Sequence, residues 1–130
     1  MLENIKINTE FKKEKTVGIE DTAKAIGSGG LEVFSTPSLV ALMELACKDF
    51  MDSFLPEGFS SVGIEISVKH LKATAVGEKV WCAGRVDEID GKKIRFSLHC
   101  YDEKGKIGEG FHYRFVVDNE KFLKRLRENA

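Results

Sequence analysis

The chain has 130 residues, a formal net charge of −1, and 42% hydrophobic against 32% charged residues. That composition fits one globular domain, 1–130, able to bury roughly two-thirds of its unfolded surface. With no sustained basic block a nucleic-acid footprint is not expected, and no apolar run is long enough for a membrane span or signal region.

Phe11-Lys12-Lys13-Glu14-Lys15 reads as a solvated strand entrance, and Lys15 to Glu20 as a short first strand. Residues 21 to 33 are looser, with Gly27, Gly29 and Gly30 clustered before Leu31. That run lacks the Gly-x-x-x-x-Gly-Lys-Ser/Thr pattern of a phosphate cradle, so a plain turn or mobile lid is expected. Thr36 then serves as N-cap of a long helix with Pro37 at its first position, where a missing N–H costs nothing. The helix is expected to run to about Phe54, before Pro56 and Gly58.

Four strands are expected after it. Ser61 to Leu71 alternates, with Val62, Ile64, Ile66 and Val68 on an inward face and Glu65, Ser67 and Lys69 opposite. Lys79 to Ile89 and Lys92 to Tyr101 form a hairpin through Asp90-Gly91, and Lys106 to Asp118 is the last strand, before a charged terminal helix from Asn119. A three-residue hairpin loop with Gly91 left-handed pairs Glu88 with Lys92. It aligns Cys82 with Leu98 and Val86 with Ile94, whereas a two-residue Asp-Gly loop would set these apolar residues against polar ones. Cys82 and Cys100 then face inward as buried thiols. With Cys47 they show no CxxC spacing, so neither a disulfide framework nor a metal site is expected, and a reduced, cytoplasmic setting is. One long apolar helix followed by antiparallel strands implies an α+β domain in which the sheet wraps the helix, the hot-dog fold.

Within the helix, Leu39, Leu42, Met43, Ala46, Cys47 and Phe50 form a core stripe, and Val40, Ala41, Leu45 and Met51 make most of the remaining surface apolar. Glu44 sits among them. A carboxylate there is costly unless paired or hydrogen-bonded, which makes it either a functional group or a flank residue reaching solvent or Lys48 at i+4. His70 continues the even-numbered face of its strand and points inward at the strand's end, as a structural histidine or a catalytic one. Arg114, in His112-Tyr113-Arg114, falls on the polar-facing parity of the last strand, as a solvated or carboxylate-paired residue or one serving a site between subunits.

These residues resemble a known family. Val33-Phe34-Ser35-Thr36-Pro37 and Leu42-Met43-Glu44-Leu45-Ala46-Cys47 look like the helix start of the fluoroacetyl-CoA thioesterase-like hot-dog enzymes. The likeness continues through Val62-Gly63, Val68-Lys69-His70, Ala73-Thr74-Ala75 and Gly77, then Glu88 to Phe96 and Lys106 to Arg114, covering about residues 30 to 118. It implies a catalytic set of Thr36, Glu44 and His70, with Gly63 near the thioester carbonyl and Arg114 near the set. It also implies an acyl-CoA substrate, at least a homodimer with sites between subunits, and no cofactor beyond the coenzyme A of the substrate. A hot-dog enoyl-CoA hydratase or dehydratase, and a non-catalytic acyl-CoA sensor, are the alternatives. The fluoroacetate-specific member carries a phenylalanine-bearing lid where this chain has Gly27-Ser28-Gly29-Gly30, so specificity for a fluorinated acyl group is not expected to follow.

Overall fold

Thr36–Asp52 forms the central helix α2, and its buried stripe of Leu39, Leu42, Met43, Ala46, Cys47 and Met51 is the spine of the core. The computed structural model describes residues 1–129. In chain order the other elements are β1 (Glu10–Thr16), a 3₁₀ turn (Ile19–Asp21), α1 (Ala23–Ile26), β2 (Phe59–His70), β3 (Lys79–Asp90), β4 (Lys93–Asp102), β5 (Gly105–Asp118) and α3 (Asn119–Glu128). The strands make one antiparallel sheet in the order β1-β3-β4-β5-β2, wrapped around α2. Val80, Cys82, Val86, Ile94, Phe96, Leu98 and Ile107 complete the core from the sheet side. Each of the larger aliphatic side chains contributes about 1.5–3 kcal/mol by leaving water. Among the described residues no helix is long and apolar enough to cross a membrane.

The first strand lies earlier than its sequence suggests, at Glu10–Thr16 rather than from Lys15. It is an edge strand, and lysines suit an edge because they discourage pairing with another chain. Phe11 anchors it, while Lys13 and Lys15 reach Asp49 and Asp21 at 2.7 and 3.1 Å. The glycine-rich run is an ordered turn: α1 ends on left-handed Gly27, and the amides of Gly27, Ser28 and Gly29 all donate to the Ala23 carbonyl.

The hairpin differs from both anticipated registers. Its loop is Gly91-Lys92, with Asp90 opposite Lys93, and a bulge near Asp87 shifts the pairing so that Val86 meets Phe96 and Cys82 meets Cys100. The inward faces still coincide, because the bulge restores parity. Gly91 is left-handed, and Cys47, Cys82 and Cys100 are free and buried. Asp87 anchors the bulge through Arg95 at 2.6 Å and a short bond from Ser97.

A second bulge, at Ile64, divides β2. Val62 pairs with Phe115 and Gly63 with Arg114, but Ile66 pairs with His112. Ser61 and Gly63 therefore join the inward face ahead of the bulge, and Ile66, Val68 and His70 carry it afterwards. Ile64 is 51% exposed, contrary to the plain alternation.

Where β1 crosses the core, the Phe11 ring stacks on Phe50 at 4.5 Å and meets the edge of Phe96 at 5.4 Å, lying directly over Gly84. A Cβ on Gly84 would overlap that ring. Gly84→Ala should lower unfolding free energy by about 1–3 kcal/mol, the usual cost of overpacking. Urea denaturation checks this; an unchanged midpoint would mean that the aromatic cluster yields freely.

Candidate active site

The helix start presents the first half of the site. Ser35, not Thr36, is the N-cap: its Oγ accepts from the Ser38 amide at 3.1 Å, and its own amide donates to the Asp21 carbonyl at 3.0 Å. Thr36 is consequently the first helical residue, and its hydroxyl is free to meet His70 Nδ1 at 2.8 Å. The Thr36 amide has no hydrogen-bond partner among the described residues. Next to it Pro37 has no N–H, so the positive end of α2 offers this donor to a ligand.

His70 ends β2 with its ring pointing inward as its parity implied, 6.4 Å from the Phe34 ring centre and edge-on to it. Burial pushes its pKa below the ordinary histidine range, with the Lys72 backbone pulling weakly the other way. Its Nε2 is buried without a well-formed hydrogen bond. Thr36 and His70 line a cavity of about 350 Å³ together with Ser28, Phe34, Leu71 and Lys72. The segment after His70 that lines this cavity is pinned by Asp102, which is almost wholly buried. Its carboxylate accepts from Lys72 Nζ at 3.1 Å, Thr74 Oγ1 at 2.9 Å and the Lys104 amide at 2.8 Å.

Glu44 occupies the second half. It is not enclosed as the apolar helix suggested: its side chain is 41% exposed, on the flank of α2 beside exposed Ala41 and Leu45. It does not pair with Lys48, which instead reaches Asp52 at 2.7 Å. Its Oε2 lies 3.8 Å from Arg114 Nη1 and would be 2.9 Å from a Cβ on Gly63. Glycine at 63 thus leaves the carboxylate room against the strand. Glu44, Gly63, Ile64, Glu65, Ile66 and His112 line a cleft of about 260 Å³ along β2. β2 lies at the end of the sheet, unpaired on its outer side.

Arg114 corrects its expected parity. It faces inward, 6% exposed, on the same side of β5 as His112 and Val116. Nε donates to Ser61 Oγ at 2.7 Å, Nη2 to the Ser61 carbonyl at 2.8 Å, and Nη1 to His112 Nε2 at 3.0 Å. His112 in turn bonds the Glu65 carbonyl through Nδ1 at 2.8 Å. A guanidinium can only donate, so His112 is a neutral imidazole with its proton on Nδ1. Burial lowers the His112 pKa most, and the Arg114 charge acts in the same direction. Sequence reasoning did not single out Ser61 or His112. The signal available was His112 two residues before Arg114, on the same face.

The two halves do not meet within one chain. Thr36 and Glu44 lie eight residues apart on α2, which at the helical rise is about 12 Å. Thr36 bonds His70, and Glu44 lies beside Arg114 and Gly63, with no hydrogen bond or ion pair linking the two groups among the described residues.

A sheet wrapped on one helix, with a hydroxyl–imidazole pair at the helix start and a carboxylate in its middle, defines a hot-dog enzyme of the thioesterase class. Residues 17–120 match the sequence profile of the family described as fluoroacetyl-CoA-specific thioesterase (FlK). The fluoroacetyl-CoA thioesterase of Streptantibioticus cattleyicolor is 35% identical over 99 residues, 76% of this chain and 71% of that protein. A solved structure of the fluoroacetyl-CoA thioesterase superposes with a TM-score of 0.92 at 28% identity, covering 98% of this chain and 99% of that one. A hot-dog-like protein from Thermanaerovibrio acidaminovorans gives 0.86 at 30% identity, covering 95% and 91%. The chain belongs to the fluoroacetyl-CoA-specific thioesterase family and is a thioester hydrolase.

Both lowered histidines make stability depend on pH. Above 6.5, the ordinary histidine value, His70 and His112 are neutral whether folded or unfolded. As pH falls below it, the unfolded chain binds protons that the folded chain does not, so stability declines with acid until the lowered pKa values are passed. Denaturation at pH 7 and pH 5.5 should therefore show a lower unfolding free energy at pH 5.5. Equal values would mean that neither imidazole is held neutral by the fold.

Proposed function

We propose that the protein hydrolyses acyl-CoA thioesters in a site completed by two subunits, Glu44 from one and Thr36 with His70 from the other. Family membership makes the reaction hydrolysis of an acyl-CoA to free acid and coenzyme A thiol. The observation that carries the shared site is the separation of about 12 Å between Thr36 and Glu44 along one rigid helix. The free edge at β2 supports it: the Glu44 cleft runs along this edge, and exposed Ile64 lies on it. Pairing of two β2 edges in a homodimer would bring each Glu44 towards the other subunit's helix start.

In this reading the unpaired Thr36 amide at the positive helix end stabilises the oxyanion as the thioester carbonyl is attacked. Glu44 acts either as general base for a water, or by direct attack on the carbonyl carbon to give a mixed anhydride that water then cleaves to the free acid and regenerated Glu44. Collapse of the tetrahedral intermediate breaks the C–S bond, and His70 manages the proton that the departing thiolate takes up. Thr36 Oγ holds the His70 ring. Arg114 orients Glu44, and Gly63 keeps space open beside it for the thioester. The reaction needs water and calls for no metal or prosthetic group. A hydratase or a sensor would also use an acyl-CoA pocket, but neither is favoured by the family. Three free, buried thiols suit a reducing cytoplasm.

Glu44→Gln and His70→Ala should each lower turnover by about 10²–10⁴-fold while the protein stays folded. Mixing the two inactive variants under conditions that exchange subunits should then restore thiol release. Each mixed dimer contains one site with an intact Glu44 and an intact His70. No recovery, with mixed dimers demonstrated by mass spectrometry, would place the whole site within one subunit.

The segment over the Thr36–His70 cavity lacks bulky aromatic cover. A Cβ on Gly27 or Gly30 would meet no heavy atom within 4 Å, so there is open space where a lid side chain would sit. We therefore expect kcat/KM for fluoroacetyl-CoA and acetyl-CoA to agree within about tenfold, since one small substituent in a loosely enclosed pocket is worth little. A preference in the thousands, measured by thiol release, would show that discrimination comes from elsewhere in the site.

A further inference from the structure

His112 has no part in the hydrolytic chemistry assigned to Glu44, Thr36 and His70, yet it is 1% exposed and spends both ring nitrogens on specific partners. On one side Nδ1–H donates to the carbonyl of Glu65, the residue that follows bulged Ile64 in β2. On the other, Nε2 accepts from Arg114 Nη1 at 3.0 Å. Ser61 takes the remaining side of the guanidinium, through its Oγ and its carbonyl. The Arg114 fork is thereby gripped from two strands, with Nη1 directed between His112 and Glu44. Across from His112 on β4 stands Phe96, so no titratable group faces it from that strand.

We propose that His112 is a positioning residue for hydrolysis, a neutral imidazole whose Nε2 holds the Arg114 guanidinium against Glu44. This rests on the reading of Glu44 as the hydrolytic carboxylate. The charge facing Glu44 is useful only if its direction is set: a guanidinium swung by one rotamer leaves the carboxylate without its cation. A neutral acceptor does this where a carboxylate could not, because an anion at position 112 would compete with Glu44 for Arg114. Burial and the Arg114 charge keep the ring unprotonated; the Glu65 carbonyl and Glu44 oppose them. Cys47 and, with a smaller influence, Asp52 are the other ionisable groups that act on Arg114, and Cys47 is held as a thiol because burial pushes its pKa up. A proton on Nε2 would set two donors and two positive charges against each other.

The two ring nitrogens can be separated by substitution. In His112→Asn the short amide can retain the bond to the Glu65 carbonyl but cannot reach Arg114. In His112→Gln the longer amide can place its oxygen near Nε2 and accept from Arg114, giving up the bulge bond. The expected result is that His112→Asn lowers kcat about 10–100-fold with little change in KM, and that His112→Gln recovers most of it, as expected for one hydrogen bond to a charged group. His112→Asn should add nothing to the loss caused by Arg114→Ala, since both remove the same directed charge. The reverse order, with Asn active and Gln impaired, would reduce His112 to a support for the bulge and overturn the proposal, as would losses that multiply with Arg114→Ala. Circular dichroism and melting temperatures identify a variant that fails to fold. If His112→Asn does fail, the Gln variant decides: it must retain most of the kcat, or the proposal falls. Glu44→Gln measured in parallel separates the two levels. An active Glu44→Gln removes the reading of Glu44, whereas an inactive one beside a fully active His112→Asn removes only the role of His112.

Discussion

A guanidinium buried beneath an apolar helix must have its N–H groups bonded and its charge answered; a buried charge left without its partner costs about 3–5 kcal/mol. Arg114 imposes that requirement here, and the local architecture follows from it. Ser61 has to face inward to supply two acceptors, and His112 has to present a bare nitrogen. Glu44 is the one carboxylate within 4 Å of the guanidinium among the described residues. The β2 bulge is part of the same solution. Without the extra residue at Ile64, Ser61 and Gly63 could not share a face with Ile66, Val68 and His70.

At the start of the helix a different constraint operates. A helix N-terminus leaves amides to be satisfied, and Ser35 together with Pro37 accounts for nearly all of them. What remains is the Thr36 amide, with the Thr36 hydroxyl committed to His70. An anion-stabilising donor and an oriented imidazole therefore lie side by side, backed by a loop that Asp102 pins through Lys72, Thr74 and Lys104. The rigid helix that joins Thr36 to Glu44 also keeps them about 12 Å apart.

The core beneath the site is inert by comparison. Cys82 and Cys100 face each other across β3 and β4 as free thiols, and their mutual hydrogen bonding together with burial pushes the Cys82 pKa up. They behave as small apolar residues. The partly open polar groups thus lie at the start and the middle of α2 and along the edge of β2.

Periodicity alone was sufficient for the central helix and four of the five strands, because each buries one face and leaves that rhythm in the chain; the terminal helix buries no side chain and is marked by its charge instead. Periodicity also placed Glu44 mid-helix and His70 inward at a strand end, and the matched run from Val33 to Cys47 pointed to the family. Edge strand β1 was expected too late in the chain, from Lys15, because a lysine-rich edge carries little apolar alternation to mark where it starts. Choosing Ser35 over Thr36 as the cap depended on which hydroxyl had a competing partner, and His70 lies 34 residues away. The faces of Ile64 and Arg114 and the hairpin register were decided only by tertiary structure. A bulge shifts parity by one residue, and no local pattern marks where it falls. It forms where packing beneath the sheet needs it, here beside a buried arginine whose acceptors come from β2 and from its own strand.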